Sequence, residues 1–112
     1  MKAFNYRQVN PTEEAPGVAM HTVISPEEGA PRFTMRVFMV QPHASTPFHS
    51  HWWEHEVYVV AGRGLVRTEQ GDHPIQAEDV VFVSPEEQHC FINTGTEPLR
   101  FVCVIPNLEG HQ

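Results

Sequence analysis

Residues 33–40, Phe-Thr-Met-Arg-Val-Phe-Met-Val, alternate with period two: Phe33, Met35, Val37 and Met39 take one side of an extended chain, and Thr34, Arg36, Phe38 and Val40 take the other. Leu65, Arg67 and Glu69 alternate in the same way with Val66 and Thr68. Further strands are expected over residues 17–25, 56–61, 79–83, 88–93 and 99–105, with a weaker one over 4–9. Turn residues separate them: Glu28-Gly29, Gly62-Arg63-Gly64, Gln70-Gly71-Asp72, Ser84-Pro85 and Thr94-Gly95-Thr96. Ten prolines are spread along the chain and leave few stretches long enough for a helix. The pattern predicts an all-β domain of eight to ten short strands, a sandwich, jelly roll or closed barrel that hides its sheet edges. One domain over residues 1–112 is expected, with irregular arms over 1–16 and 107–112; no repeat or low-complexity segment interrupts it.

Composition narrows the function. With 112 residues the chain has room for one domain that buries roughly 65% of its unfolded surface. A net charge of -7, with no lysine- or arginine-rich run, argues against nucleic acid as a partner. No apolar run approaches the ~20 residues that span a bilayer, and the start MKAFNYRQVNP has no apolar signal core, so a soluble, cytoplasmic protein without membrane contact is expected. Cys90 and Cys103 are the only cysteines, as expected where thiols stay reduced.

Histidine is the residue that stands out. Of eight copies, His43, His49, His51 and His55 fall within thirteen positions. On an extended strand His49, His51 and His55 share one face with Val57 and Val59, while Glu54 and Glu56 point the other way. Three inward imidazoles fill a core poorly, because each neutral ring needs partners for both nitrogens; a metal ion supplies one. A fourth ligand from another strand is expected, and His89 opens the segment His89-Cys90-Phe91-Ile92-Asn93 after the Ser84-Pro85 turn. Parity favours His55 over Glu56 as the third ligand, and a bulge at Trp52-Trp53 would reverse that choice.

These spacings resemble the two motifs of the cupins, small β-barrel proteins with one metal inside the barrel. The first motif reads Gly, five residues, His-x-His, three or four residues, Glu, six residues, Gly. Here His49 and His51 fill the His-x-His, Gly62 the closing glycine, His55 the glutamate position and His43 the opening glycine. The second reads Gly, five residues, Pro-x-Gly, two residues, His, three residues, Asn. His89 and Asn93 match it, while Glu78, Ser84 and Glu86 stand where glycine, proline and glycine are usual. The strings HSHWWEHEVYVVAGRG and FVCVIPNLEG are similar to the short bacterial four-histidine cupins, and the likeness runs from about Phe33 onward.

The resemblance implies a jelly-roll barrel (double-stranded β-helix), His49, His51, His55 and His89 as metal ligands, manganese as the ion, and a homodimer. The donor set itself also admits Fe, Ni, Cu and Zn. Four neutral ligands leave a divalent charge uncompensated, which favours an anionic or enolisable small-molecule ligand or substrate. A metal-dependent oxidoreductase of dioxygenase type is expected; a non-catalytic small-ligand binder or sensor and a metal-dependent isomerase are the alternatives, the last lacking an inward acid-base residue. Cys103 is the possible catalytic side chain, on a strand that by resemblance lines the cavity. Met35, Val37, Met39, Phe91, Phe101, Cys103 and Ile105 are expected on the inner face, with either parity open for residues 33–40. Cys90 is expected to pack and Asn93 to hold a turn. Trp52 and Trp53 are expected to roof the pocket or bury at a subunit contact. His43 is a candidate support for the metal ligands, and His21, His73 and His111 are expected in solvent.

Overall fold

Nine strands in two sheets are formed by residues 1–108, which the computed structural model describes. In the larger sheet β1 (Thr12–Ala15), β2 (Val18–Ile24), β3 (Phe33–Val40), β9 (Leu99–Pro106), β4 (His55–Ala61) and β7 (Val80–Val83) lie in that order. In the smaller one β5 (Arg63–Thr68) lies between β6 (Gly71–Gln76) and β8 (His89–Asn93). Neighbouring strands are antiparallel throughout. The architecture is the expected all-β jelly roll.

Along β4 and β9 burial alternates without a break: His55, Val57 and Val59 are inside, as are Leu99, Phe101, Cys103 and Ile105. The inner faces of the two sheets meet in one core. Phe91 of β8 stacks on Phe101 of β9 with ring centres 4.5 Å apart, and Phe101 stacks on Phe38 of β3 at 5.0 Å. Each such side chain taken out of water contributes about 1.5–3 kcal/mol.

Register settles the face of β3. Phe38 pairs with Phe101 and Arg36 with Cys103, so Thr34, Arg36, Phe38 and Val40 face inward. Met35, Val37 and Met39, expected there, lie on the outer face, Met35 and Val37 opposite Val104 and Val102. Both sides of β3 are apolar, so hydrophobicity does not choose between them; the neighbour across the ladder does.

The N-terminal 16 residues also differ from expectation. Residues 6–8 form a 3-10 turn instead of a strand, capped by the Asn5 side chain, with Gln8 reaching back to the Asn5 amide. Within the expected irregular arm, β1 pairs with β2. Strand β6 is not among the expected strands; it carries Pro74 and is an edge strand, where a missing N–H breaks no ladder. Its hairpin turns at Glu69-Gln70, one residue earlier than expected, and carries the exposed Arg67–Asp72 pair at 2.8 Å. Asn107, the first residue of the expected tail, is fixed: it accepts from the Thr34 hydroxyl at 2.7 Å and donates to the carbonyls of Ala30 and Arg32. Residues 109–112, with His111, lie outside the described residues.

Three non-glycine residues among those described have left-handed backbone: His43 (φ 70°), Glu78 (φ 79°) and Glu86 (φ 69°). They are the three positions where the resembled motifs carry glycine and this chain does not. The turns have kept their geometry although the side chain changed. A Cβ in that region costs roughly 1–2 kcal/mol, whereas glycine's extra freedom in the unfolded chain returns about 0.5–1 kcal/mol of this. Glu78→Gly and Glu86→Gly are therefore expected to raise stability by about 0.5–1 kcal/mol in urea unfolding. Gly62 (φ 85°) is the opposite case, because a Cβ there would collide with the Pro98 carbonyl. Gly62→Ala is expected to cost at least ~2 kcal/mol, and a neutral result would contradict this account of the turn.

Candidate functional site

The site begins with two backbone hydrogen bonds. The His49 amide donates to the His89 carbonyl at 3.2 Å and the His89 amide to the His49 carbonyl at 3.0 Å. This isolated antiparallel pair fastens an otherwise irregular stretch, residues 47–54, against β8. The expected continuous strand from His49 to His55 is thus absent, and only His55 belongs to β4. Thr46 secures the same stretch from the other side: its amide donates to the Phe91 carbonyl, and its hydroxyl accepts from the Phe91 amide at 2.8 Å. Between β7 and β8 the Glu86 amide reaches the His51 carbonyl at 2.6 Å.

Together these contacts bring His49, His51, His55 and His89 to one cavity of about 130 Å3. Its walls also include Glu14, Arg36, Phe38, Thr46, Trp53, Phe91, Phe101 and Cys103. His55 and His89 are each 4% exposed, His51 is half-buried, and His49 stands at the open side. Adjacent ring centres are 4.2 Å apart for His49–His51, 5.3 Å for His51–His55 and 4.8 Å for His55–His89. The Nε2 atoms of His49 and His51 approach to 3.1 Å. Glu56 lies on the outer face with Tyr58, Phe82 and Val104, away from the cavity.

Chemistry fixes part of the proton inventory. Nδ1 of His89 lies 2.9 Å from the Glu87 carbonyl, which only accepts, so Nδ1 carries a hydrogen and Nε2 is the nitrogen left for a metal. Nδ1 of His55 is buried with no hydrogen-bond partner. Trp53 stacks on His51 with ring centres 4.2 Å apart and planes 9° from parallel, holding that imidazole's plane. Burial, and then the neighbouring His49, His89 and Arg36, lower the His51 pKa to about 4. Burial followed by His89 and Arg36 lowers that of His55 to about 3, and burial and His89 lower that of His49. These three rings are neutral at pH 7, the state in which imidazole donates to a metal.

The residues fit a metal ion in donor type, and the unpartnered His55 nitrogen calls for a partner the chain does not provide. As the rings stand, no three His, Cys, Asp or Glu side chains among the described residues form a finished ligand group.

Other expected positions divide. Cys103 lines the cavity, and burial raises its pKa, with Arg36 opposing; Cys90 is buried elsewhere, and the two thiols are unlinked. Asn93 is buried and holds its turn, donating to the Val40 and Glu97 carbonyls and accepting from the Gly95 amide. His43 is exposed and outside the cavity wall. His21, expected in solvent, is half-buried: its Nδ1 lies 2.7 Å from the Val9 carbonyl and its ring meets Tyr6 edge-on. His73 is exposed. Trp53 lines the pocket, and Trp52 lies edge-on against it at 5.2 Å.

Arg36 and Glu14 were missed as site residues. For Arg36 the available signal was a lone charge inside an otherwise apolar strand; for Glu14, in a segment expected to be irregular, there was none.

The sequence profile of the Cupin domain family matches residues 36–105. The chain belongs to the cupins. This cupin domain is 38% identical over 65 residues to an oxalate-binding protein of Thermotoga maritima, a match that covers 57% of the chain and 54% of the relative. It is 37% identical over 70 residues to a glucose-6-phosphate isomerase of Pyrococcus abyssi, covering 57% of the chain and 37% of that enzyme. The matches thus span about half of these curated relatives' length or less. Among solved structures, the polyketide cyclase RemF from Streptomyces resistomycificus superposes with a TM-score of 0.86 at 30% identity, over 95% of this chain and 79% of that one.

The lowered histidine pKa values set a pH dependence. An unfolded chain takes up protons below about pH 6.5, whereas folded His51 and His55 stay neutral until about 4 and 3. Stability of the metal-free cupin domain is therefore full above pH 6.5 and falls as pH drops from there towards 4. Urea midpoints at half-unit pH steps are expected to show this slope, and His55→Leu to flatten it. Equal midpoints at pH 7 and pH 5 would contradict the neutral-imidazole assignment.

Proposed function

We propose that this cupin is a metal-dependent enzyme acting on a small, anionic, enolisable organic molecule, with one divalent ion held by His49, His51, His55 and His89. The observation that carries the reading is the convergence of four imidazoles on one cavity whose other walls combine Phe38, Trp53, Phe91 and Phe101 with Arg36 and Glu14. Manganese is the ion favoured by the resemblance to four-histidine cupins, and Fe, Ni, Cu and Zn suit the same donors. Such an ion supplies Lewis-acid polarisation of a carbonyl or, if redox-active, access to dioxygen chemistry.

The chain's own residues do the rest. Phe38, Phe91 and Phe101 keep water from the inner end of the cavity. Glu14, an exposed carboxylate on the cavity wall that accepts from the Thr12 hydroxyl at 2.7 Å, is the group we assign to take and return a proton at a bound carbon acid. That carboxylate shifts the balance among the expected reactions. The absence of an inward base favours a binder or an oxygen-only oxidoreductase; with the exposed Glu14 assigned the acid-base role from the cavity rim, proton transfer as in an isomerase or cyclase is favoured. The names of the relatives, a cyclase, an isomerase and an oxalate binder, support a small-molecule site without selecting one reaction.

The test has two parts. In protein purified without added metal, His51→Ala and His89→Ala are expected to lower metal content after dialysis at least ~10-fold and Glu56→Ala to leave it unchanged. With metal bound, solvent deuterium is expected to exchange into the acidic carbon of a 1,3-dicarbonyl acid, and Glu14→Gln to slow this about 100-fold at unchanged metal content. Dioxygen uptake without exchange would transfer the assignment to the oxidoreductase, and binding with neither would make the protein a binder or sensor.

We infer also that two copies pair, and that the protein works in the cytoplasm. Its unlinked thiols suit a reducing compartment, and no helix among the described residues is long and apolar enough to cross a membrane. Pairing is supported by the outer face of β4, β7 and β9, where Val80 is 75% and Phe82 60% exposed beside Tyr58, Val102 and Val104. Light scattering is expected to give about twice the 12.7 kDa chain mass, and 12.7 kDa at every dilution would exclude the dimer.

A further inference from the structure

Arg36 is placed in the cavity wall without a counterion. Its Nη2 donates to the Cys103 Sγ at 3.3 Å and its Nη1 to the Met20 Sδ at 3.6 Å, and the guanidinium lies over the Phe38 ring at 5.2 Å. Its Nε is buried with no partner. A thioether and a protonated thiol are weak acceptors, and neither carries charge to balance the guanidinium. The one ion pair among the described residues is Arg67 with Asp72, at the far hairpin. Glu14, the acid on the same cavity wall, forms no ion pair with Arg36 and takes its hydrogen bond from Thr12. Arg36 is half-buried with its Nε out of water and no anionic partner, so an anion arriving in the cavity from outside the chain gains a partly desolvated, uncompensated guanidinium as partner.

We propose that Arg36 is the specificity-determining residue of this cavity and that it selects ligands bearing a carboxylate. Its planar fork matches the two oxygens of a carboxylate, and the ring of Phe38 beneath it restricts the approach to the plane of the fork. The four imidazoles and Arg36 line the same cavity, so the ligand class is one that carries, beside the carboxylate read by Arg36, a second oxygen donor for the histidine side: a 2-oxo acid or dicarboxylate. The proposal rests on the metal-site reading for where the ligand's other end lies, and not for the Arg36 contact.

Titration calorimetry with oxalate as probe and oxamide as its neutral counterpart tests this, on metal-loaded and on chelator-treated protein. In the loaded protein Arg36→Met is expected to weaken oxalate at least ~30-fold and Arg36→Lys about 10-fold, with metal content and melting temperature retained and oxamide binding unchanged by either. In chelated wild type, oxalate at millimolar concentration is expected to shift the Arg36 Nε–H resonance, and oxamide to leave it in place. Oxalate affinity within threefold of wild type in Arg36→Met would overturn the proposal, as would an unmoved resonance. If wild type takes up no metal but the resonance responds, the metal reading fails and the carboxylate site stands. Should Arg36→Met fail to fold, the Lys variant and the resonance decide alone.

Discussion

The reciprocal hydrogen bonds between His49 and His89 are the constraint on which the site depends. They join two segments forty residues apart, and in an antiparallel pair of this kind both side chains leave the backbone on the same face. Residues 47–54 have no strand ladder of their own to hold them, so that pair is what sets His49 directly opposite His89 on β8. The contacts around it, Thr46 to Phe91 and Glu86 to His51, lock the same stretch from both ends. Metal binding, if it occurs as proposed, would add to a frame that backbone hydrogen bonds already supply.

Seen from the sequence, the strands and the imidazoles were the most legible parts of this protein. Strict alternation along β4 and β9 reflects central strands with one face in the core, and for such strands period two translates directly into inside and outside. The histidine spacing was readable for a related reason: His51 and His55 are an even number apart, and the bend at Trp52-Trp53 does not change which side His55 faces. What failed was local reasoning where the decisive partner is distant. The face of β3 is set by its register with β9, some sixty residues away, and β6 is a strand only because an edge tolerates Pro74. Arg36 was lost through the open parity of β3, and Glu14 because its segment reads as an irregular arm whereas β1 pairs there with β2.

The glycine positions show how a motif can weaken in letters while persisting in conformation. His43, Glu78 and Glu86 occupy left-handed backbone where glycine would be unstrained, yet each amide has a partner: Asn93, Val59 and His51 carbonyls respectively. Those hydrogen bonds, and not the identity of the side chain, are what the turn requires. A departure from the motif in sequence is therefore a weak argument against the site, provided the surrounding ladder is strong enough to offset roughly 1–2 kcal/mol of strain at each turn.

Departures from local rules also map onto the cavity. The unpartnered His55 nitrogen, the guanidinium of Arg36 facing sulfur, and the imidazoles kept neutral by burial all lie on its wall, while the rest of the core is Val, Leu, Ile and Phe in ordinary contact. An apolar side chain at any of these positions would satisfy the fold with less desolvation, so stability alone does not account for them. They differ in what would relieve them. Neutral imidazoles are relieved by a cation and Arg36 by an anion, and a ligand that brings a carboxylate to a bound divalent ion answers both demands in one cavity. Because the two demands have opposite sign, the proposed cation or the proposed carboxylate alone would leave part of the wall unsatisfied, and only the two together would answer both.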